Sequence, residues 1–236
     1  VGETKRTDPT PFHPNNRLVS VQYNTCDNLT PQFVWFYHEK KGVDLHQAHS
    51  QVQQILNDTT LLVGHNIKFD LVWLWESGFS YSGRVYDTMI GEYLLLKGQK
   101  YSLSLHDACI RRKVSLKKSD LTKDYLTRGV GFDRMPCEIV EEYGKADIIS
   151  TRELYEHQKK LFKNSVMEKH LKLMNGFLFT LATIERNGIK IDLQALQDVK
   201  QAYRKEKLEL ERTMHEIMRE VMGDTPINLN SSDDRS

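Results

Sequence analysis

An α/β fold (a mixed sheet flanked by helices) followed by an all-helical segment is the class this sequence predicts, on three observations. Short β-branched and aromatic runs occur early: RLVSVQYN (17–24), QFVWFYH (32–38) and TTLLV (59–63). Between residues 44 and 96 such runs alternate with stretches whose apolar residues recur every three or four positions, the period of an amphipathic helix. Beyond residue 165 only the helical period remains. A strand pair followed by strand–helix alternation builds a sheet covered by helices.

Composition narrows the function classes. The 236 residues suffice for one large domain or for a domain and a half. The 33 Lys and Arg nearly cancel the 32 Asp and Glu, so no global field draws in nucleic acid and any such contact is a local patch. Cys26, Cys109 and Cys137 are odd in number and scattered, the pattern of reduced thiols in a cytoplasmic protein rather than of a disulfide or zinc framework. No apolar run approaches the ~18 residues of a membrane span. Val1 opens on a charged, proline-punctuated segment unlike a signal peptide.

In chain order, 17–24 and 32–38 form a hairpin joined by the polar turn TCDNLTP. DLHQAHSQVQQILND (44–58) is a helix, and TTLLV a short buried strand. From Phe69 to Trp75 apolar residues again recur at three and four, so a helix starts just after Asn66. A further stripe covers DTMIGEYLLL (87–96). Residues 97–136 read as basic and irregular, and Pro136 then opens a helix from Cys137. The next stripe ends at Gly188, as at a C-cap. The last helix begins on the cap Asp192 and runs, long and charged, to Gly223. The domain boundary is expected near 163–166, giving segments 1–165 and 166–236.

Two polar pairs stand out. Asn66 and Asp70 bracket the corner in GHNIKFD (64–70), where a strand opens into a helix. Side chains at the carboxyl ends of strands face the crevice where α/β folds bind ligands. Alternatively, Asn66 caps the helix and Asp70 answers its dipole. The second pair, Tyr143 and Asp147 in YGKAD, shares one face of a helix, either solvated or functional. Together they offer hard oxygen ligands on two rigid helices, which is what magnesium or manganese requires.

GHNIKFD resembles the second motif, and YGKAD the third, of the 3′–5′ exonucleases that use four carboxylates and a tyrosine on a ribonuclease H-like fold. YDTMIGEYLL (86–95), IERNGIKID (184–192) and INLNSS (227–232) resemble, in order, segments of the family A DNA polymerases. There the first lies in the exonuclease domain, the second opens the polymerase domain and the third lies near the thumb. PFHPNNRLVSVQY has the look of bacteriophage members. The resemblance implies proofreading hydrolysis of the 3′-terminal phosphodiester of single-stranded DNA at a two-metal Mg²⁺ or Mn²⁺ site. It makes Asp70 and Asp147 metal ligands, Tyr143 the residue that orients the attacking water, and Asn66 the residue that positions the scissile end. The implied partners are a single-stranded 3′ end, the primer-template and the rest of a polymerase chain, in a bacterial or phage-infected cytoplasm.

The first motif of that family is Asp-x-Glu, for which VGET offers Glu3 as catalytic residue and ligand, with Val1 in place of the aspartate. Either the aspartate is lost, or the segment follows a first strand that lies upstream; on both readings the chain is expected to be a fragment of a larger enzyme. Leu103, Leu105, Tyr93 and Tyr101 are expected in the core, with stacking on a terminal base as the alternative. The run Arg111, Arg112, Lys113, Lys117, Lys118 and Lys123 is either a phosphate track or a solvated loop. Two rival functions remain at this point: a ribonuclease D-like RNA exonuclease, and an inactive exonuclease-fold module serving as a DNA-binding or structural platform.

Overall fold

In a computed structural model of the protein, residues 10–115 and 120–223 are described. Strand β1 (Ser20–Tyr23) pairs antiparallel with β2 (Gln32–Trp35), Ser20 opposite Trp35 and Tyr23 opposite Gln32. Helix α1 (Leu45–Asp58) follows, its N-terminus capped by the Asp44 carboxylate, which accepts from the His46 and Gln47 amides. Strand β3 (Leu61–Gly64) and β4 (Arg84–Asp87) run parallel, with Leu61 opposite Arg84 and Gly64 opposite Asp87. Between them lies α2 (Ile67–Glu76), the right place for a parallel crossover. Both pairing modes expected of a mixed sheet occur, but among the described residues as two separate two-stranded ladders. The assigned strands are shorter than their apolar runs, although Phe36 and Tyr37 still donate to the Val19 and Leu18 carbonyls at 2.8 and 3.2 Å, and His38 then meets the start of a later helix.

After β4 the chain is helical: α3 (Thr88–Leu95), α4 (Leu105–Arg112), α5 (Asp120–Thr127), α6 (Cys137–Phe162), α7 (Met167–Asn187) and α8 (Leu193–Met222). The 97–136 stretch expected to be irregular therefore holds α4 and α5. Helix α4 buries only Leu105, Ala108 and Cys109, against Leu154 of α6, a face too small and too short to read as periodic. Its place is fixed by charge instead. Glu92 of α3, fully buried, accepts from Arg111 Nε (3.0 Å) and from Arg112 Nε (2.9 Å).

The main core gathers Val34, Phe36, Val52, Leu56, Leu71, Phe79, Val85 and Phe162, together with Leu171 and Leu178 of α7. Helix α7 thus belongs to the first compact unit, which runs to Asn187, beyond the boundary expected near 165. Of the second unit, 188–236, the described residues 188–223 hold one long helix, α8. Asp192 caps it as expected, and Leu196, Tyr203, Leu210 and Ile217 stand exposed along it at heptad spacing. Among the described residues no helix is long and apolar enough to cross a membrane.

Two close approaches set helix α6 against the sheet and α3. Gly144 is buried where a Cβ would meet the Gln22 side chain of β1 at 3.0 Å. A Cβ on Gly91 would strike the Gln158 carboxamide, which donates to the Thr88 carbonyl at 2.9 Å. The start of α6 is tied to β2 by His38, whose Nε2 donates to the Met135 carbonyl at 2.9 Å.

Candidate active site

The parallel register brings the ends of β3 and β4 side by side, and each strand opens directly into a helix. At the end of β3, Gly64 has no room for a side chain, since a Cβ there would overlap Ile67. The chain turns through His65 and Asn66, and Asn66 adopts the left-handed conformation, φ 61° and ψ 45°. His65 braces this turn: Nδ1 lies 2.9 Å from Thr88 Oγ1, and Nε2 donates to the Leu103 carbonyl at 2.9 Å.

The capping role open to Asn66 is not one its side chain performs. An ordinary N-cap is extended, so that its side chain folds back onto the first turn. Asn66 is left-handed and makes no side-chain cap bond. The cap comes from Asp87 at the end of β4. Its Oδ1 accepts from the Asn66 amide (2.9 Å) and its Oδ2 from the Ile67 amide (3.1 Å). Oδ1 also accepts from Met89 (2.8 Å), so one carboxylate, 1% exposed, caps both α2 and α3. Sequence reading passed over Asp87. Asp before Thr-Met announces a cap for α3, but its reach to α2 depends on a non-local register.

Asp70 stands one turn into α2. The residue keeps exposed surface, yet its carboxyl sits among protein groups that desolvate it. That desolvation first, and then the charges of Asp87 and Asp147, push its pKa up to about 7. Asp147, on α6, therefore lies within electrostatic reach of Asp70, and its Oδ1 is shielded from solvent. Tyr143, one turn before Asp147, is half-buried with its ring against Phe132, centroids 5.8 Å apart. Asp70 and Asp147 thus feel one another's charge, with Asn66 at the corner of one helix and Tyr143 one turn back on the other. Glu3 lies outside the described residues, as do Lys117 and Lys118. Among the described residues no three His, Cys, Asp or Glu side chains cluster as a metal site.

The basic run divides. Arg111 and Arg112 lie on α4 rather than in a loop and hold Glu92, and Arg111 also donates to the Ser102 carbonyl. Lys113 and Lys123 are exposed. Leu105 is in the core as expected, whereas Tyr93 (53% exposed) and Tyr101 (60% exposed) are not. A cleft of about 820 Å³ lined by Trp75, Tyr81 and Arg186 opens at the far end of α2, and takes no part in this arrangement.

A family model described as 3′–5′ exonuclease matches residues 3–163. DNA polymerase I of Borreliella burgdorferi is 28% identical over 137 residues, which cover 58% of this chain and 15% of the relative. The DNA polymerase of Bacillus phage SP01 is 29% identical over 161 residues, 66% of this chain and 17% of that one. DNA polymerase I of Aquifex aeolicus is 24% identical over 184 residues, 70% and 30% of the two chains. The chain thus spans less than a third of the length of these relatives. Among solved structures, the apo form of a nuclease has a TM-score of 0.58 at 19% identity, covering 79% of this chain and 84% of its own. NrnC of Brucella melitensis bound to pGG has a TM-score of 0.57 at 18% identity, with the same coverage. These two likenesses speak to fold alone.

Proposed function

Since this chain belongs to the 3′–5′ exonuclease family of the family A DNA polymerases and has its ribonuclease H-like fold, we propose that it is the proofreading portion of a DNA polymerase, hydrolysing the 3′-terminal phosphodiester of single-stranded DNA. The observation that supports this reading is that Asp70, one turn into α2 beyond the end of β3, lies within electrostatic reach of Asp147 on α6. A divalent cation fits that donor set, because two carboxylates in electrostatic reach of one another would share its charge; desolvation, the larger cause of the raised Asp70 pKa, is joined by the repulsion such a cation would cancel.

In this reading Asp70, Asp147 and Glu3 hold Mg²⁺ or Mn²⁺. When bound, the cations lower the pKa of a water and stabilise the leaving oxygen. Tyr143 orients the water through its hydroxyl, its ring steadied by Phe132. The Asn66 carboxamide, which caps nothing, is available to hold the terminal nucleotide. Residues beyond the first compact unit, from 188 onward, would be the helical start of the polymerase domain, a reading that the DNA polymerases among the relatives support.

The experiment is degradation of a labelled oligonucleotide by the full-length polymerase with Mg²⁺, with single-stranded DNA and RNA compared. DNA is expected to be degraded from its 3′ end, and Asp70→Ala to abolish this while leaving polymerisation nearly intact. A preference for RNA would move the chain to the ribonuclease D-like reading, and no hydrolysis of either to an inactive platform.

A further inference from the structure

We propose that Asp87 is the positioning residue of the active-site corner. From the neighbouring strand it holds Asn66 left-handed and fixes where α2 begins, and so releases the Asn66 carboxamide from capping to substrate. The role given to Asn66 rests on the function proposed above; the hold on the corner does not.

The first amides of a helix have no partner inside it, and a cap side chain ordinarily supplies one. At α2 the cap residue supplies none, and the Asn66 carboxamide makes no hydrogen bond to any described residue. Both amides at the corner turn to Asp87 instead, at 2.9 and 3.1 Å. This is possible because Gly64 pairs with Asp87 in parallel register, which sets the carboxylate beside the residues that leave β3.

Asp87 is itself fixed from behind. Its backbone amide donates to Asn175 Oδ1 of α7 at 3.1 Å, and Asn175 is buried. Its buried carboxyl accepts from three backbone amides at the N-termini of two helices. The site depends on this because Asp70 follows Ile67 by three residues on the same helix. A slip of one residue in the start of α2 would swing Asp70 by about 100° around the helix axis.

An aspartate is needed here and an asparagine will not serve. In either orientation of the amide that D87N introduces, its NH₂ would face an N–H donor: Ile67 on one side, or Asn66 and Met89 on the other. The substitution keeps the shape and removes the acceptor.

The test uses the full-length polymerase with three variants, Asp87→Asn, Asn66→Gly and the two combined. Glycine adopts the left-handed conformation freely, so Asn66→Gly removes the carboxamide and keeps the backbone. Amide exchange is read at Asn66, Ile67 and Met89, with Leu154 in the middle of α6 as the reference for an intact fold. In the wild-type chain the three amides are expected to be protected, and this alone is decisive if Asp87→Asn does not fold: amides exchanging as freely as a solvated loop would overturn the proposal. In folded Asp87→Asn, exchange at Asn66 and Ile67 should quicken by about tenfold or more, with Leu154 unchanged. Single-turnover cleavage of single-stranded DNA should fall by about 100-fold, with DNA affinity held.

The combined variant should lie within about threefold of the slower single one, because both remove the same act of positioning. Folded Asp87→Asn cleaving at the wild-type rate, or losses that multiply, would refute the role. If the wild-type chain cleaves no DNA, the function proposed above falls, and the exchange at Asn66 and Ile67 still decides whether Asp87 holds the corner.

Discussion

Asp70 is a residue whose chemistry the surroundings alter strongly. With its pKa near 7 in the folded chain and an ordinary value of 3.8, it binds more protons folded than unfolded between those limits. Stability from this group therefore falls as pH rises from about 4 to 7. In the metal-free chain, Asp70→Asn should gain stability over the wild type across that window, measured by calorimetric Tm at each pH. Adding Mg²⁺ at pH 7.5 should raise the Tm of the wild type and leave that of Asp70→Asn nearly unmoved. Tyr143 faces a smaller task, and Tyr143→Phe should slow single-turnover cleavage by at most about 10²-fold, the low end for a positioned proton-handling group. Asp147→Ala should cost far more, and equal losses would mean that the tyrosine is part of the metal site. That Asn66 and Asp70 flank the start of one helix, and that Tyr143 and Asp147 share a face of another, was legible because each pair lies on one short stretch of chain. Asp87 was not, since its partners Asn66 and Ile67 lie twenty residues away on the other side of a crossover.

Among the elements, α4 and α3 are joined by a buried carboxylate rather than by an apolar stripe. Burial raises the Glu92 carboxyl, but the hydrogen bonds and charges of Arg112 and Arg111 outweigh it and bring its pKa below the ordinary value. Its contribution is present above the ordinary value of 4.5 and is lost as pH falls through the lower folded one. Glu92→Gln should cost about 2–3 kcal/mol in urea unfolding, since both arginines keep partly open side chains. It should also flatten the acid limb of the stability curve. This pairing explains why α4 escaped the sequence reading: its basic residues look like a surface loop until Glu92, inside an otherwise apolar stripe, is recognised as their partner. Strand β4 escaped for a different reason. Four residues bounded by a helix give no alternation to read, and Asp87 reads as the start of the stripe that follows. Helices α1, α6 and α8 were legible because each spans several turns and opens at Asp44, Pro136 or Asp192.

For the molecule as a whole, the match to the exonuclease family ends at residue 163, while the packing of the first unit continues to Asn187. Leu171, Leu178 and Ala182 of α7 are buried in that unit, and Asn175 reaches the back of Asp87. Burying a leucine is worth about 1.5–3 kcal/mol, so a fragment ending at Lys163 should unfold at markedly lower urea than one ending at Asn187. Far-UV circular dichroism on the two fragments would measure the difference, and equal midpoints would mean that α7 adds nothing to the nuclease unit. The break expected near 165 followed local signals, the turn after Phe162 and the change to a uniform helical period. Which side of the break α7 packs against is settled by Leu171 and Leu178, and a helical period does not say where its apolar face will go. The same packing bears on how such enzymes can be recombined. A chimera that grafts this nuclease onto a foreign polymerase would carry a wound in its core if the splice followed the family boundary. The workable seam is at Gly188, at φ 63°, where the core residues of α7 have already been supplied and the next helix has not begun.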